Sequence, residues 1–187
     1  LIFVLEADMS VFLPFPSIPR YSREIIVTEK LDGTNAQILI TEDGGFFTGS
    51  RNRWLSPEDD NFGFSTWAYE HKEDLMALGV GRHFGEWWGS GIQRGYGLTN
   101  GEKKFSLFNV LRWDGECPSC CSVVPTIWRG TFDLFNAEDV MEYLLENGSM
   151  AAPGFMNPEG IVIYHHVANV MFKKTFANDY TGKGQLP

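Results

Sequence analysis

Apolar and polar positions alternate in short runs along most of this chain. Glu24 to Thr28, Ala36 to Thr41 and Phe46 to Ser50 are rich in β-branched and aromatic residues, which predicts three strands. Glu42, Asp43, Gly44 and Gly45 separate the last two and predict a hairpin turn. Thr66 to Met76 has helical spacing, with Trp67, Leu75 and Met76 turned inward. Gly81 to Trp88 predicts a strand, Gly89 to Gly101 a loop, and Lys104 to Arg112 a further strand. Ala137 to Asn147 predicts the best helix, with Val140, Tyr143 and Leu144 on one face and Gly148 as its stop. Gly160 to His165 and Asn169 to Phe176 predict two more strands. Strands and helices follow no regular alternation. That favours an α+β fold with antiparallel sheets flanked by helices over a doubly wound parallel sheet. No internal repeat or low-complexity linker divides the chain, so residues 1–187 are expected to form one domain.

Composition narrows this further. A hydrophobic fraction of 43% supports a real core. No run of about 18 apolar residues predicts a membrane-spanning helix. Met9 is a possible natural start, and residues 1–8 are expected to be leader sequence. The net charge of −9 argues against a general nucleic-acid coat protein. It leaves room for a local basic groove built from Arg51, Arg53, Arg94, Lys103, Lys104, Arg112, Lys173 and Lys174. Three cysteines, an odd number, fit a reducing, intracellular (cytoplasmic) location better than a disulfide framework.

The stretch Lys30-Leu31-Asp32-Gly33-Thr34-Asn35 carries the chemistry. It sits at a junction of predicted strands, where a lysine can be held for attack. Four further clusters follow: Ser50-Arg51-Asn52-Arg53, Phe84-Gly85-Glu86, Phe105 to Asn109, and Pro158-Glu159-Gly160-Ile161-Val162. Met171-Phe172-Lys173-Lys174-Thr175 closes the set.

In this order and spacing the six clusters resemble the covalent nucleotidyltransferase superfamily of DNA ligases, RNA ligases and mRNA capping enzymes. The resemblance runs from about Thr28 to Phe176 and implies a nucleotidyltransferase (ATP-grasp-like) fold. It also implies that Lys30 attacks a nucleotide and carries it covalently. Such a lysine must shed its proton, although a free lysine has a pKa of about 10.4. Desolvation or a neighbouring cation such as Lys173 would lower it. The resemblance further assigns Asp32 to support of Lys30, and Glu86 to the ribose hydroxyls. Phe108 is matched to stacking on the base, opposite Ile161 or Val162, and Arg51 to the nucleotide or a 5′-phosphate. Glu29, Asn35 and Lys174 are expected to contact the nucleotide too. Glu159 is matched to a metal-linked carboxylate, and Mg²⁺ (or Mn²⁺) prefers such oxygen ligands. Arg53 and Arg94 are expected to touch the nucleic-acid strand.

Asn35 points to a branch. DNA ligases and capping enzymes more often carry Arg at that place, whereas Gly33-Thr34-Asn35 resembles the RNA ligases of phage repair and RNA editing. The chain ends shortly after Lys173, so no OB domain is expected. The resemblance therefore implies an ATP-dependent RNA ligase acting on RNA ends or a nicked duplex. A DNA ligase of the same superfamily, and a non-catalytic module that binds nucleic-acid ends, remain as alternatives. Two features depart from the family. Lys173-Lys174-Thr175 stands where Lys-x-Lys is usual, and alternation sends the two lysines to opposite faces. Asn109 stands where many ligases have Asp.

Other features are expected to be structural. Cys117, Cys120 and Cys121 lack a second cysteine cluster and read as a loop insertion rather than a zinc site. His165 and His166 read as a strand end, Trp87 and Trp88 as core, and Gly89 to Gly97 as a mobile loop over the site.

Overall fold

The computed structural model describes residues 12, 14–113 and 116–177. The leader expectation lies outside them. In chain order the elements are β1 (Glu24–Lys30), β2 (Thr34–Ile40), β3 (Phe46–Ser50), β4 (Trp54–Leu55), α1 (Phe64–Glu70), α2 (Lys72–Leu75), β5 (Gly81–Gly89), β6 (Lys103–Leu107), β7 (Cys121–Val123), β8 (Thr126–Thr131), α3 (Ala137–Asn147), β9 (Gly160–His165) and β10 (Val170–Thr175). They build two sheets. One has the order β10-β9-β1-β8 and the other β4-β3-β2-β5-β6-β7. The pairings are antiparallel except for β6 with β7. This is the α+β arrangement the sequence predicts. No described helix is long and apolar enough to cross a membrane.

Each sheet buries one face against helices. Ile38, Ile40, Trp87, Phe105 and Leu107 turn toward Phe64, Ala68 and Leu75 beside α1 and α2. Ile25, Val27, Ile161 and Ile163 turn toward Val140, Met141 and Leu144 of α3. Leu31, Trp88, Tyr96, Val124 and Ala152 form a third apolar cluster. α3 begins where Asn136 accepts the Glu138 N–H and ends at Gly148, whose φ of 75° a side chain would strain.

Several expectations are corrected. The single helix over 66–76 is two short helices separated at His71. The strand expected to reach Arg112 ends at Leu107, because Asn109 Oδ1 accepts the Arg112 N–H in a turn. Tyr143, grouped with Val140 and Leu144 on one helix face, is exposed while those two are buried. Cys121 is not in a loop but begins β7. The segment over 89–101 is a strap whose Ile92 and Tyr96 side chains are buried.

Candidate active site

β1 ends at Lys30 and the next strand starts at Thr34, each in a different sheet. The turn Leu31-Asp32-Gly33 therefore joins the two sheets, and both contribute one face to the surroundings of Lys30. Along β1, Ile26, Thr28 and Lys30 alternate with Ile25, Val27 and Glu29. The second set belongs to the α3 side, since Glu29 pairs with buried Ile161.

Lys30 pairs in register with Gly160, so Glu159 arrives beside it. Lys30 Nζ lies 2.5 Å from Glu159 Oε2. Glycine is required at 160: its φ is 152°, and a Cβ there would sit 2.1 Å from the Lys174 carbonyl oxygen. Gly33 is equally constrained, since a Cβ would lie 2.4 Å from the Trp87 carbonyl oxygen. That close approach lets Gly33 N–H donate to Glu86 Oε1 at 3.1 Å.

Glu86 collects a directed chain of donors. Arg51 Nε donates to Asn35 Oδ1 at 2.7 Å, and Asn35 Nδ2 donates to Glu86 Oε2 at 2.9 Å. Burial pushes the Glu86 carboxyl up to about 7, while Lys30, Asn35 and Gly33 pull it back. The β2–β5 register makes this possible by setting Asn35 opposite Glu86.

A third group holds the turn from the strap. Arg94 Nε donates to Asp32 Oδ2 at 2.9 Å, and its Nη1 donates to Asn157 Oδ1 at 2.8 Å. Tyr96 accepts the Asp32 N–H on its hydroxyl at 2.8 Å. Its backbone is left-handed at φ 50°, and its ring packs on Trp88 and Phe155. Tyr96 and Asn157 were not singled out by the sequence. The only signal was the unusual Gly-Tyr-Gly tripeptide at 95–97.

Lys173 pairs with Val162, which pairs with Thr28. Residues directly opposite share a face, so Lys173, Val162, Thr28 and Lys30 all belong to one face. Val162, rather than Ile161, is on that side. Phe108 follows β6 and is partly exposed, on the same face of its sheet as Glu86 by alternation, whereas Phe105 is core. On the Ile26 side, the space between the sheets widens into a cavity of about 430 Å³ walled by Val110, Val124, Thr126 and Arg129.

Four expected contacts are redirected. Glu29 turns to the α3 side, where its carboxylate accepts the Met150 and Ala151 N–H groups, and burial raises its pKa. Lys174 pairs with Ile161 on that same side, and its Nζ lies 3.0 Å from Glu138 Oε1. Arg53 is held by Asp59 at 2.6 Å and by neighbouring carbonyls, so it braces the turn after β4. Arg94 is paired with Asp32. No three His, Cys, Asp or Glu side chains among the described residues form a ready metal cage, the cysteine cluster included.

Comparison with known proteins adds to this geometry. No curated protein matches the chain. Solved structures of Naegleria gruberi RNA ligase do match. An alanine mutant with ATP and Mn aligns at 20% identity and a TM-score of 0.62, covering 83% of this chain and 50% of that one. A second alanine mutant with ATP and Mn gives 20% identity and 0.61, covering 82% and 49%. A lysine-to-methionine mutant with AMP and Mn gives 19% and 0.58, covering 83% and 50%. At this identity the likeness is one of fold, and this chain spans about half the length of that ligase. The RNA ligase family profile matches residues 23–175, so this chain belongs to the RNA ligase family.

Proposed function

We propose that this chain is the nucleotidyltransferase domain of an ATP-dependent RNA ligase that forms a lysyl–AMP on Lys30. The observation that carries the reading is the pairing of Lys30 with Glu159 at the junction of the two sheets, with Lys173 on the same face. The Nζ of Lys30 attacks the α-phosphorus of ATP. A nitrogen–phosphorus bond forms, the bond to pyrophosphate breaks, and the amine loses its protons. Lys173 offsets charge building on the α-phosphate. Glu86, fixed by Asn35 and Gly33, would meet the ribose hydroxyls, and Phe108 and Val162 would flank the base. AMP then passes to the 5′-phosphate of an RNA end. A 3′-hydroxyl attacks that activated phosphate and AMP leaves, with most of the rate coming from positioning.

The carboxylate set fits a cation that takes one or two protein oxygens and otherwise keeps water and phosphate ligands, as Mg²⁺ or Mn²⁺ does. Glu159 would hold it. When bound there, it would draw Glu159 from Lys30 and screen phosphate charge. Lys30 cannot attack while it remains an ammonium against a carboxylate.

The test is incubation with α-labelled ATP and Mg²⁺ or Mn²⁺, beside Lys30→Ala. Label on denatured protein that requires Lys30 is expected. Its absence from protein shown to be free of prior adenylate would sink the reading. RNA and DNA nicks offered to the labelled protein would separate an RNA ligase from a DNA ligase.

A further inference from the structure

The six-stranded sheet carries a strip of aromatic side chains that, beyond Phe108, the proposed reaction does not use. By alternation Phe47 of β3 and Arg82 and Phe84 of β5 share a face with Asn35 and Glu86, while Phe46, His83 and Gly85 turn the other way. Trp54 of β4 joins them, with its ring centroid 6.0 Å from that of Phe47. Phe47, Trp54 and Phe84 are each about half exposed, an unusual state for three large rings on one face. The Arg82 guanidinium lies 5.2 Å over Trp54 and is steadied by Gln37 Oε1 at 2.8 Å. Phe84 is next to Phe108, whose N–H donates to the Phe84 carbonyl.

The strip is continuous with the site. It starts at Phe108, passes the Asn35–Arg51 pair, and ends at Trp54 and Phe47. From β6 to β4 it crosses four strand spacings, about 19 Å. Its chemistry is flat rings interleaved with arginine, with Leu39 between Phe47 and Arg82 as an aliphatic member. Rings accept any base by stacking, and arginine both stacks and meets phosphate. The acidic hairpin tip at Glu42 and Asp43 bounds the strip at its far end.

We propose that this face binds the unpaired RNA leading to the end being joined, with bases stacked on Phe84, Trp54 and Phe47 and phosphates met by Arg82 and Arg51. The identity of the polymer rests on the ligase reading, whereas the surface itself does not.

The experiment measures binding of a labelled single-stranded RNA with blocked ends to the full chain, to Phe47→Ala, to Trp54→Ala and to the double variant. Self-adenylylation without RNA is followed in the same preparations. Each single variant is expected to weaken binding about tenfold, as loss of one stacking partner does. Trp54→Phe should restore most of it. Self-adenylylation should be unchanged, and fully paired RNA should bind weakly and be insensitive to the variants. Unchanged RNA affinity in a double variant that still self-adenylylates would overturn the proposal. So would equal losses for paired and unpaired RNA, or protection of the strip by another protein segment. Should the unsubstituted chain bind RNA through Trp54 yet never label with AMP, the surface stands and the ligase reading falls.

Discussion

Lys30 Nζ and Glu159 Oε2 stand 2.5 Å apart, brought together from positions far apart in the chain by the pairing of Lys30 with Gly160. The contact has two consequences. It holds the lysine side chain at the strand end, and it occupies the Nζ that the proposed reaction needs. On the proposed reading, Glu159 exchanges Lys30 for a divalent cation when ATP binds. Glu159→Gln keeps the shape but removes the charge. Single-turnover lysyl–AMP formation should fall on the order of 100-fold. Raising Mn²⁺ should recover part of it, and stability should change by no more than about 1 kcal/mol. A rate that is unaffected would show that Glu159 has no role beyond holding Lys30.

Glu86 makes stability depend on pH. Its carboxyl is raised from an ordinary 4.5 to about 7, chiefly by burial. Between those values the folded chain holds the proton more tightly than the unfolded chain does. The stabilisation is fully present below about pH 4.5 and is lost as pH rises through about 7, a span of about 3 kcal/mol. Glu86→Gln cannot titrate. The urea-unfolding free energy of the unsubstituted chain minus that of Glu86→Gln should therefore fall between pH 5 and pH 8. A flat difference would mean that Glu86 is better solvated than its burial implies. His83 shifts in the opposite direction, but it is common to both proteins and cancels.

Adjacent lysines on β10 separate into two roles. Lys173 shares a face with Lys30, and Lys174 is on the α3 side against Glu138. Lys173→Ala should reduce self-adenylylation by on the order of 100-fold or more, the scale of losing one charge that stabilises a transition state. Lys174→Ala should leave the rate within a few-fold and lower stability by about 0.5 kcal/mol, as expected of a pair with one exposed partner. The reverse outcome, read by single-turnover labelling and urea unfolding, would overturn the facing assigned to β10.

Much of this fold and site is legible in the sequence, for physical reasons. The helix at 137–147 has an apolar stripe and a glycine stop, both of them local signals, and the structure adds the Asn136 cap. The opposite facing of Lys173 and Lys174 follows from strand alternation alone. What could not be read depends on distant pairing. β4 and β7 are too short to show a period, and β8 is extended because β1 supplies its partner. Glu29 looks like a companion of Lys30 in sequence, yet one position along a strand reverses its side. Arg53 and Arg94 look free until Asp59 and Asp32 are seen beside them.

Tyr96 shows what such distant pairing does to the site. Its hydroxyl accepts the Asp32 N–H, and Arg94 from the same strap grips the Asp32 carboxylate. The turn after Lys30 is therefore held at both backbone and side chain. Tyr96→Phe keeps the ring against Trp88 and Phe155 but leaves the Asp32 N–H without its acceptor. Stability should fall by about 1–3 kcal/mol, the cost of a buried unpaired donor. If the hydroxyl also positions the turn, single-turnover lysyl–AMP formation should slow on the order of 10- to 100-fold, while the KM for ATP changes little. The lysine would be displaced from its line of attack with the binding surfaces for nucleotide intact. A matched loss of ATP affinity, or loss of stability with the rate preserved, would reduce Tyr96 to a packing residue beside Leu31 and leave the positioning of Asp32 to Arg94.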